Sequence, residues 1–201
     1  MRIGIDLDNT IVNYDPVFCR LAAPYLSLAA KADKSAVRDA LRALPEGERL
    51  WQTLQGQAYG ARMAEAEPFP GVTDFFRQAL DRGVELHIVS HKTRTGHFDP
   101  ERIDLRQASL AWLEAQGLVN GEGGRGLIRE RIFFADDPAA KIARIAAIAP
   151  DWFIDDLPAI FQHPAFPGKV GRILFSPRVD ASLSGVIALA DWRLIAHRLL
   201  A

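Results

Sequence analysis

Two aspartates separated by one residue, Asp6 and Asp8, close an apolar run at the start of the chain: Ile3-Gly4-Ile5-Asp6-Leu7-Asp8-Asn9-Thr10. Side chains alternate along a strand, so Asp6 and Asp8 point the same way, just past the strand's carboxyl end. Carboxylates that close repel each other unless one is protonated or a cation lies between them. The pattern suits a site that needs a nucleophilic carboxylate, a second carboxylate for proton transfer and a metal ion.

Three further positions offer complementary groups. Ser90 ends the run Val84–Val89, where its hydroxyl either donates to an anionic oxygen or caps the residues that follow. Asp137-Pro138 reads as a helix N-cap and first helical residue, which places Lys141 in the first turn or just beyond. The helix dipole disfavours a cation there, so Lys141 either reaches out to solvent or meets an anion held at the sheet edge. Asp155-Asp156 follows the run Trp152–Ile154. This second acidic pair is either a cap for the next helix or part of a ligand set for a hard divalent cation. Magnesium keeps several waters and accepts two or three carboxylate or carbonyl oxygens.

Weaker candidates surround these. The polar stretch after Ser90 includes His91 and Lys92, either substrate contacts or a solvated loop. Gln55, Tyr59 and Arg62 lie beside Gly56 and Gly60, one helical turn apart; that glycine pair reads first as close helix packing and second as a ligand-facing surface. Cys19 is the only cysteine; it falls on an apolar helical face as a packing residue and forms no intrachain disulfide.

The elements that must position these groups alternate. Apolar runs predict five strands, at Arg2–Leu7, Val84–Val89, Arg131–Ala135, Trp152–Ile154 and Arg172–Phe175. Helical patterns lie between most of them, at Thr73–Arg82, Asp104–Gln116 and Pro138–Ala149. This order predicts an α/β fold, a Rossmann-like parallel five-stranded sheet flanked by helices. Roughly seventy residues after the first strand carry no strand signal, far more than one crossover needs. They predict helices at about Asp15–Lys31, Lys34–Leu44 and from Glu48 to before Pro68. The expected division is a core of residues 1–13 and 68–201 with a small helical insert at 14–67, beside the sheet edge where ligands bind in such folds.

Composition narrows the function classes. The 201 residues are 49% hydrophobic and 24% charged, with a net charge of −1, so no basic field for nucleic-acid polymers or anionic membranes is expected. The first residues lack a signal-peptide pattern, no apolar stretch is long enough to span a bilayer, and a cytoplasmic location is expected. Gly117–Gly126, with five glycines, precedes a strand and reads as a plain connection.

Taken together, Asp6-Leu7-Asp8-Asn9-Thr10, Ser90, Lys141 and Asp155-Asp156 resemble, in order and placement, the haloacid dehalogenase (HAD) superfamily of phosphohydrolases. The resemblance implies an aspartyl-phosphate formed on Asp6, with Asp8 as general acid and then base. It implies magnesium held by the carboxylates of Asp6 and Asp155 and the backbone carbonyl of Asp8, with Asp156 ordering the water shell. Ser90 and Lys141 are implied phosphoryl ligands, Thr10 a brace for the turn, and the helical insert a cap domain. The acidic pair lacks the glycine that commonly precedes it, which leaves the division of roles between Asp155 and Asp156 open. Asp8 argues for phosphate chemistry, since dehalogenases lack this second aspartate. The expected activity is a magnesium-dependent phosphatase of a small phosphorylated metabolite, a sugar phosphate or a nucleoside monophosphate. The alternatives are a phosphomutase using the same intermediate and a non-catalytic phosphate-binding or regulatory module. Oligomeric state is not legible.

Overall fold

A computed structural model describes residues 1–27, 32–98, 101–119, 126–176 and 183–201. In chain order its strands are β1 (Arg2–Ile5), β2 (Val12–Asn13), β3 (Glu67–Pro68), β4 (Glu85–His91), β5 (Ile132–Ala135), β6 (Trp152–Asp155), β7 (Gly171–Phe175) and β8 (Ile187–Leu189). Its helices are α1 (Asp15–Ala22), α2 (Lys34–Arg42), α3 (Gly47–Tyr59), α4 (Val72–Asp81), α5 (Leu105–Ala115), α6 (Pro138–Ile148), α7 (Pro158–Gln162) and α8 (Trp192–Leu200).

The main sheet runs in the order β5-β4-β1-β6-β7-β8, and its pairings are parallel. The sheet has six strands where the apolar pattern gives five. The extra one, β8, is a three-residue edge strand that is not fully buried; it lies in a short apolar run, Val186–Ala190, close before α8. β2 and β3 pair separately as a two-stranded ribbon.

Two compact units make up the chain. One comprises Met1–Val12, Pro68–Lys92 and Glu114–Ala201; the other comprises Asn13–Glu67 and Thr93–Leu113. In the first unit, helices cover both faces of the sheet. Ile145 of α6 and Ile160 and Phe161 of α7 pack with Val89, Phe153 and Leu174. On the other face, Trp192 of α8 meets Phe175 and Phe75 of α4, with ring centroids 5.9 and 5.0 Å apart. Leu174 and Phe175 are neighbours in one strand, and alternation sends them to these opposite layers.

The second unit is helical. Phe18 stacks on Trp51 at 4.8 Å and Tyr14 meets Tyr59 edge-on at 4.7 Å, tying α1 and the residue before it to α3. Segment 93–113 joins this unit through specific contacts: the Trp112 indole N–H donates to the Ala66 carbonyl at 2.9 Å. Gly60 lies so close to the same segment that a Cβ would come within 3.1 Å of Leu105 and 3.2 Å of Ile103, which is the close packing read from the glycine pair. Helix α1 stops at Ala22 rather than running to Lys31, because Pro24 cannot continue the i→i−4 ladder. Leu28 and Lys31 lie outside the described residues, as does most of the glycine-rich stretch, residues 120–125. Among the described residues no helix is long and apolar enough to cross a membrane.

Candidate active site

The register of the sheet brings the first and last acidic motifs together. Gly4 pairs with Phe153 and Ile5 with Ile154, and the Asp6 amide donates to the Ile154 carbonyl at 2.9 Å. Asp6 and Asp155 therefore leave neighbouring strands side by side. Gly4 makes room on that face, since a Cβ there would come within 2.5 Å of the Phe153 ring.

Helix α6 lies over the same face. Asp137 caps it, accepting from the Ala140 amide at 2.7 Å, and Pro138 fills its first position. The helix thus begins at a fixed point and carries Lys141 inward. Lys141 is 1% exposed. Its Nζ donates to Asp6 Oδ1 and to Asp155 Oδ2, both at 2.6 Å, and lies 5.8 Å from the centre of the Phe153 ring. This is a buried lysine between two buried carboxylates, not a solvated one.

Electrostatics follow from that burial. Desolvation pushes the Asp6 carboxyl up to about 7; Lys141 opposes the shift, while Asp155 and Asp8 add to it. Burial alone would lower the Lys141 ammonium, but Asp155 and Asp6 outweigh it and raise its pKa. The cluster carries more negative than positive charge.

Thr10 is fully buried, and its Oγ1 lies 3.4 Å from Asp6 Oδ2. Its turn is fixed by Asn9 in the left-handed region, at φ 61°, and by amides of Ile11 and Val12 donating to the Leu7 carbonyl at 3.0 Å. The Trp192 indole N–H donates to the Thr10 carbonyl at 3.0 Å, a tie that no sequence signal announces. Asp8 follows Asp6 out of the strand, and Lys92 Nζ stands 2.9 Å from its Oδ1. That contact is a close ion pair rather than an aligned hydrogen bond. Lys92 is 3% exposed, so it is no loop lysine; its amide donates to the Ala135 carbonyl at 2.9 Å, holding it at the end of β4 beside β5.

Ser90 sits at the same end of β4, paired with Phe134. Its Oγ is buried and has no hydrogen-bond partner among the described residues. A hydroxyl left so is costly unless something else completes it. His91 is exposed, its Nε2 3.2 Å from the Asp136 carbonyl. Asp155 Oδ1 accepts from the Leu157 amide at 2.9 Å, which holds the turn before α7, while its Oδ2 faces Lys141. Gln55, Tyr59 and Arg62 belong to the helical unit. There the Tyr59 hydroxyl accepts from Lys34 Nζ at 2.7 Å, and Arg62 pairs with Glu65 at 2.5 Å.

Carboxylate oxygens of Asp6, Asp155 and Asp156 lie within 4.8 Å of one another. Three hard oxygen donors that close, one of them half-buried, fit a small divalent cation with retained waters. The orphaned Ser90 hydroxyl fits an anionic oxygen beside it. The residues present are therefore compatible with both metal and phosphoryl group.

No protein-family profile matches the chain, and no curated protein sequence matches it. Solved structures do match. The HAD hydrolase YfnB from Bacillus subtilis, in a magnesium-bound form, is 15% identical over 100% of this chain and 98% of that one, with a TM-score of 0.61. A dehalogenase aligns at 12% identity and a TM-score of 0.62, covering 100% of this chain and 97% of that one. A HAD-family hydrolase from Deinococcus radiodurans, with bound phosphate and sodium, aligns at 14% identity and a TM-score of 0.52, over 98% of this chain and 94% of that one. With these matches over nearly its whole length, the chain has the fold of the HAD-superfamily hydrolases.

Proposed function

We propose that the protein is a magnesium-dependent phosphoric monoester hydrolase that acts on a small phosphorylated metabolite through an aspartyl-phosphate on Asp6. The observation that carries this reading is the 2.6 Å bridge from Lys141 to both Asp6 and Asp155, with Asp156 alongside. A nucleophilic carboxylate, a fixed cation and spare oxygen ligands converge at one strand edge.

In the first step an Asp6 oxygen forms a bond to phosphorus while the bond to the leaving oxygen breaks. Asp8 gives its proton to that oxygen, releasing the alcohol. In the second step water attacks the aspartyl-phosphate, Asp8 takes its proton, and inorganic phosphate leaves with Asp6 restored. Ser90 and Lys141 hold phosphoryl oxygens and offset the charge that gathers on them. Asp6, Asp155 and Asp156 would hold magnesium, with the Asp8 backbone carbonyl as a further ligand; when bound, the ion supplies charge neutralisation of the phosphoryl oxygens. The magnesium on YfnB and the phosphate on the Deinococcus hydrolase accord with this assignment.

A dehalogenase aligns with the same fold; halide departs as an anion and needs no proton from a second carboxylate, so Asp8 beside Asp6 favours a phosphoric ester as substrate. A panel of sugar phosphates and nucleoside monophosphates, assayed for phosphate release with magnesium and with chelator, tests the proposal. Release with magnesium that chelation stops is the expected result. Halide release from a haloacid without magnesium, or no release from any monoester, overturns it. An isomerised product without free phosphate indicates a mutase instead.

A further inference from the structure

Resting on the phosphatase reading above, we infer that Lys141 competes with magnesium for Asp6 and Asp155, and that phosphate, by engaging the same ammonium, tightens magnesium binding. One side chain thereby couples the two ligands.

An ammonium has three N–H donors and no acceptor. Lys141 Nζ places two of them, on Asp6 Oδ1 and Asp155 Oδ2, both at 2.6 Å. Those two carboxylates, with Asp156, are also the ones whose oxygens gather within 4.8 Å of one another. The same pair therefore answers to two cations. Asp155 is already engaged at both oxygens, since its Oδ1 accepts from the Leu157 amide at 2.9 Å. On Asp6 the short bond is the one to Lys141, while Oδ2 lies 3.4 Å from the Thr10 hydroxyl.

All three groups are held in place. Lys141 is 1% exposed and Asp155 is fully buried. The Asp137 cap fixes the start of α6, and the Asp6 amide on the Ile154 carbonyl fixes the strands. Water screens charges poorly in such a place, so a divalent ion drawn to these carboxylates is opposed by the ammonium already bonded to them. An anion facing Lys141 offsets that opposition. The third N–H has no acceptor among the described residues, and the buried Ser90 hydroxyl has no partner among them either. Phosphate held by both, as proposed above, completes both. Such linkage is reciprocal: phosphate tightens magnesium by the factor by which magnesium tightens phosphate.

Titration calorimetry at one pH measures magnesium binding to wild type and Lys141→Met, each with and without inorganic phosphate. Magnesium alone is expected to bind Lys141→Met at least about tenfold more tightly than wild type. Phosphate is expected to tighten magnesium binding more in wild type than in the variant, because direct attraction between the two ions is common to both proteins. A second measurement uses wild type alone: nitrogen-15 lysine spectra, assigned by through-bond correlation, follow the Lys141 ammonium. Magnesium is expected to shift that signal and to speed its hydrogen exchange, as its hold on Asp6 and Asp155 loosens. A folded Lys141→Met that binds magnesium no more tightly than wild type overturns the competition and leaves the phosphatase reading intact. Where the variant does not fold, an ammonium signal unmoved by saturating magnesium overturns it in the same way. Wild type that binds no magnesium overturns both.

Discussion

The Asp6 amide donates to the Ile154 carbonyl at 2.9 Å, so the strand that leads into Asp6 is locked in step with the strand that ends in Asp155. One hydrogen bond of the ladder thus aligns residues 149 positions apart in sequence, and Lys141 occupies the place where their charges meet.

Removing that lysine strands two carboxylates. Lys141→Met is expected to lower metal-free stability by about 3–5 kcal/mol, the usual cost of breaking a buried ion pair from one side. Urea denaturation in chelator measures it, and added magnesium is expected to recover part of the loss. An unchanged midpoint would show that the carboxylates do not depend on Lys141.

Asp6→Asn retains an oxygen for Lys141 and removes one negative charge from the cluster. Phosphate release is expected to fall to background, while Tm in chelator stays at or above that of wild type. Turnover at the wild-type rate would eliminate Asp6 as nucleophile.

Acid sensitivity arises elsewhere in the sheet. Glu85 faces His87 at 2.7 Å, Arg2 at 2.6 Å and Arg131 at 3.8 Å. The bonds from His87 and Arg2 hold its carboxyl down from 4.5 to about 2. A depressed carboxyl contributes stability above its unfolded value, and that contribution is lost as pH falls through this interval. Glu85→Gln is expected to flatten the acid limb of stability measured by chemical denaturation from neutral pH to about pH 3. The effect is small, because the side chain is 34% exposed and solvent screens it. Parallel curves for the two proteins would remove Glu85 from the account.

Gly4→Ala forces a methyl against the Phe153 ring. Overpacking of this kind costs about 1–3 kcal/mol, and since Phe153 lies beside Lys141, turnover is expected to fall with Tm. Thermal melts and initial rates together check this; a variant as stable and active as wild type would mean the ring has room to move.

The sequence is most informative where chemistry and periodicity coincide. Asp6, Asp8, Asp155 and the Asp137-Pro138 cap are legible because each ends an apolar run or opens a helical one, and those boundaries survive folding. Lys92 is less so: a lysine after a strand, followed by Thr93, Arg94 and Thr95, reads as loop, and only the three-dimensional neighbourhood of β5 shows it buried. The grouping of segment 93–113 with the helices before residue 67 is equally hidden. Trp112 carries no mark that its indole hydrogen bonds to Ala66 rather than covering the sheet. β8 escapes because its short apolar run, Val186–Ala190, stands just before α8, and a run of that length does not by its pattern tell strand from helix.

The Trp192 indole spans 182 positions to reach the Thr10 carbonyl. During synthesis the turn therefore precedes by far the helix that anchors it. Contacts of such high sequence separation form slowly and late. The setting of the Asp6–Thr10 turn is therefore coupled to docking of α8, and a chain made only as far as α7 carries Asp6 and Asp8 without the brace from Trp192.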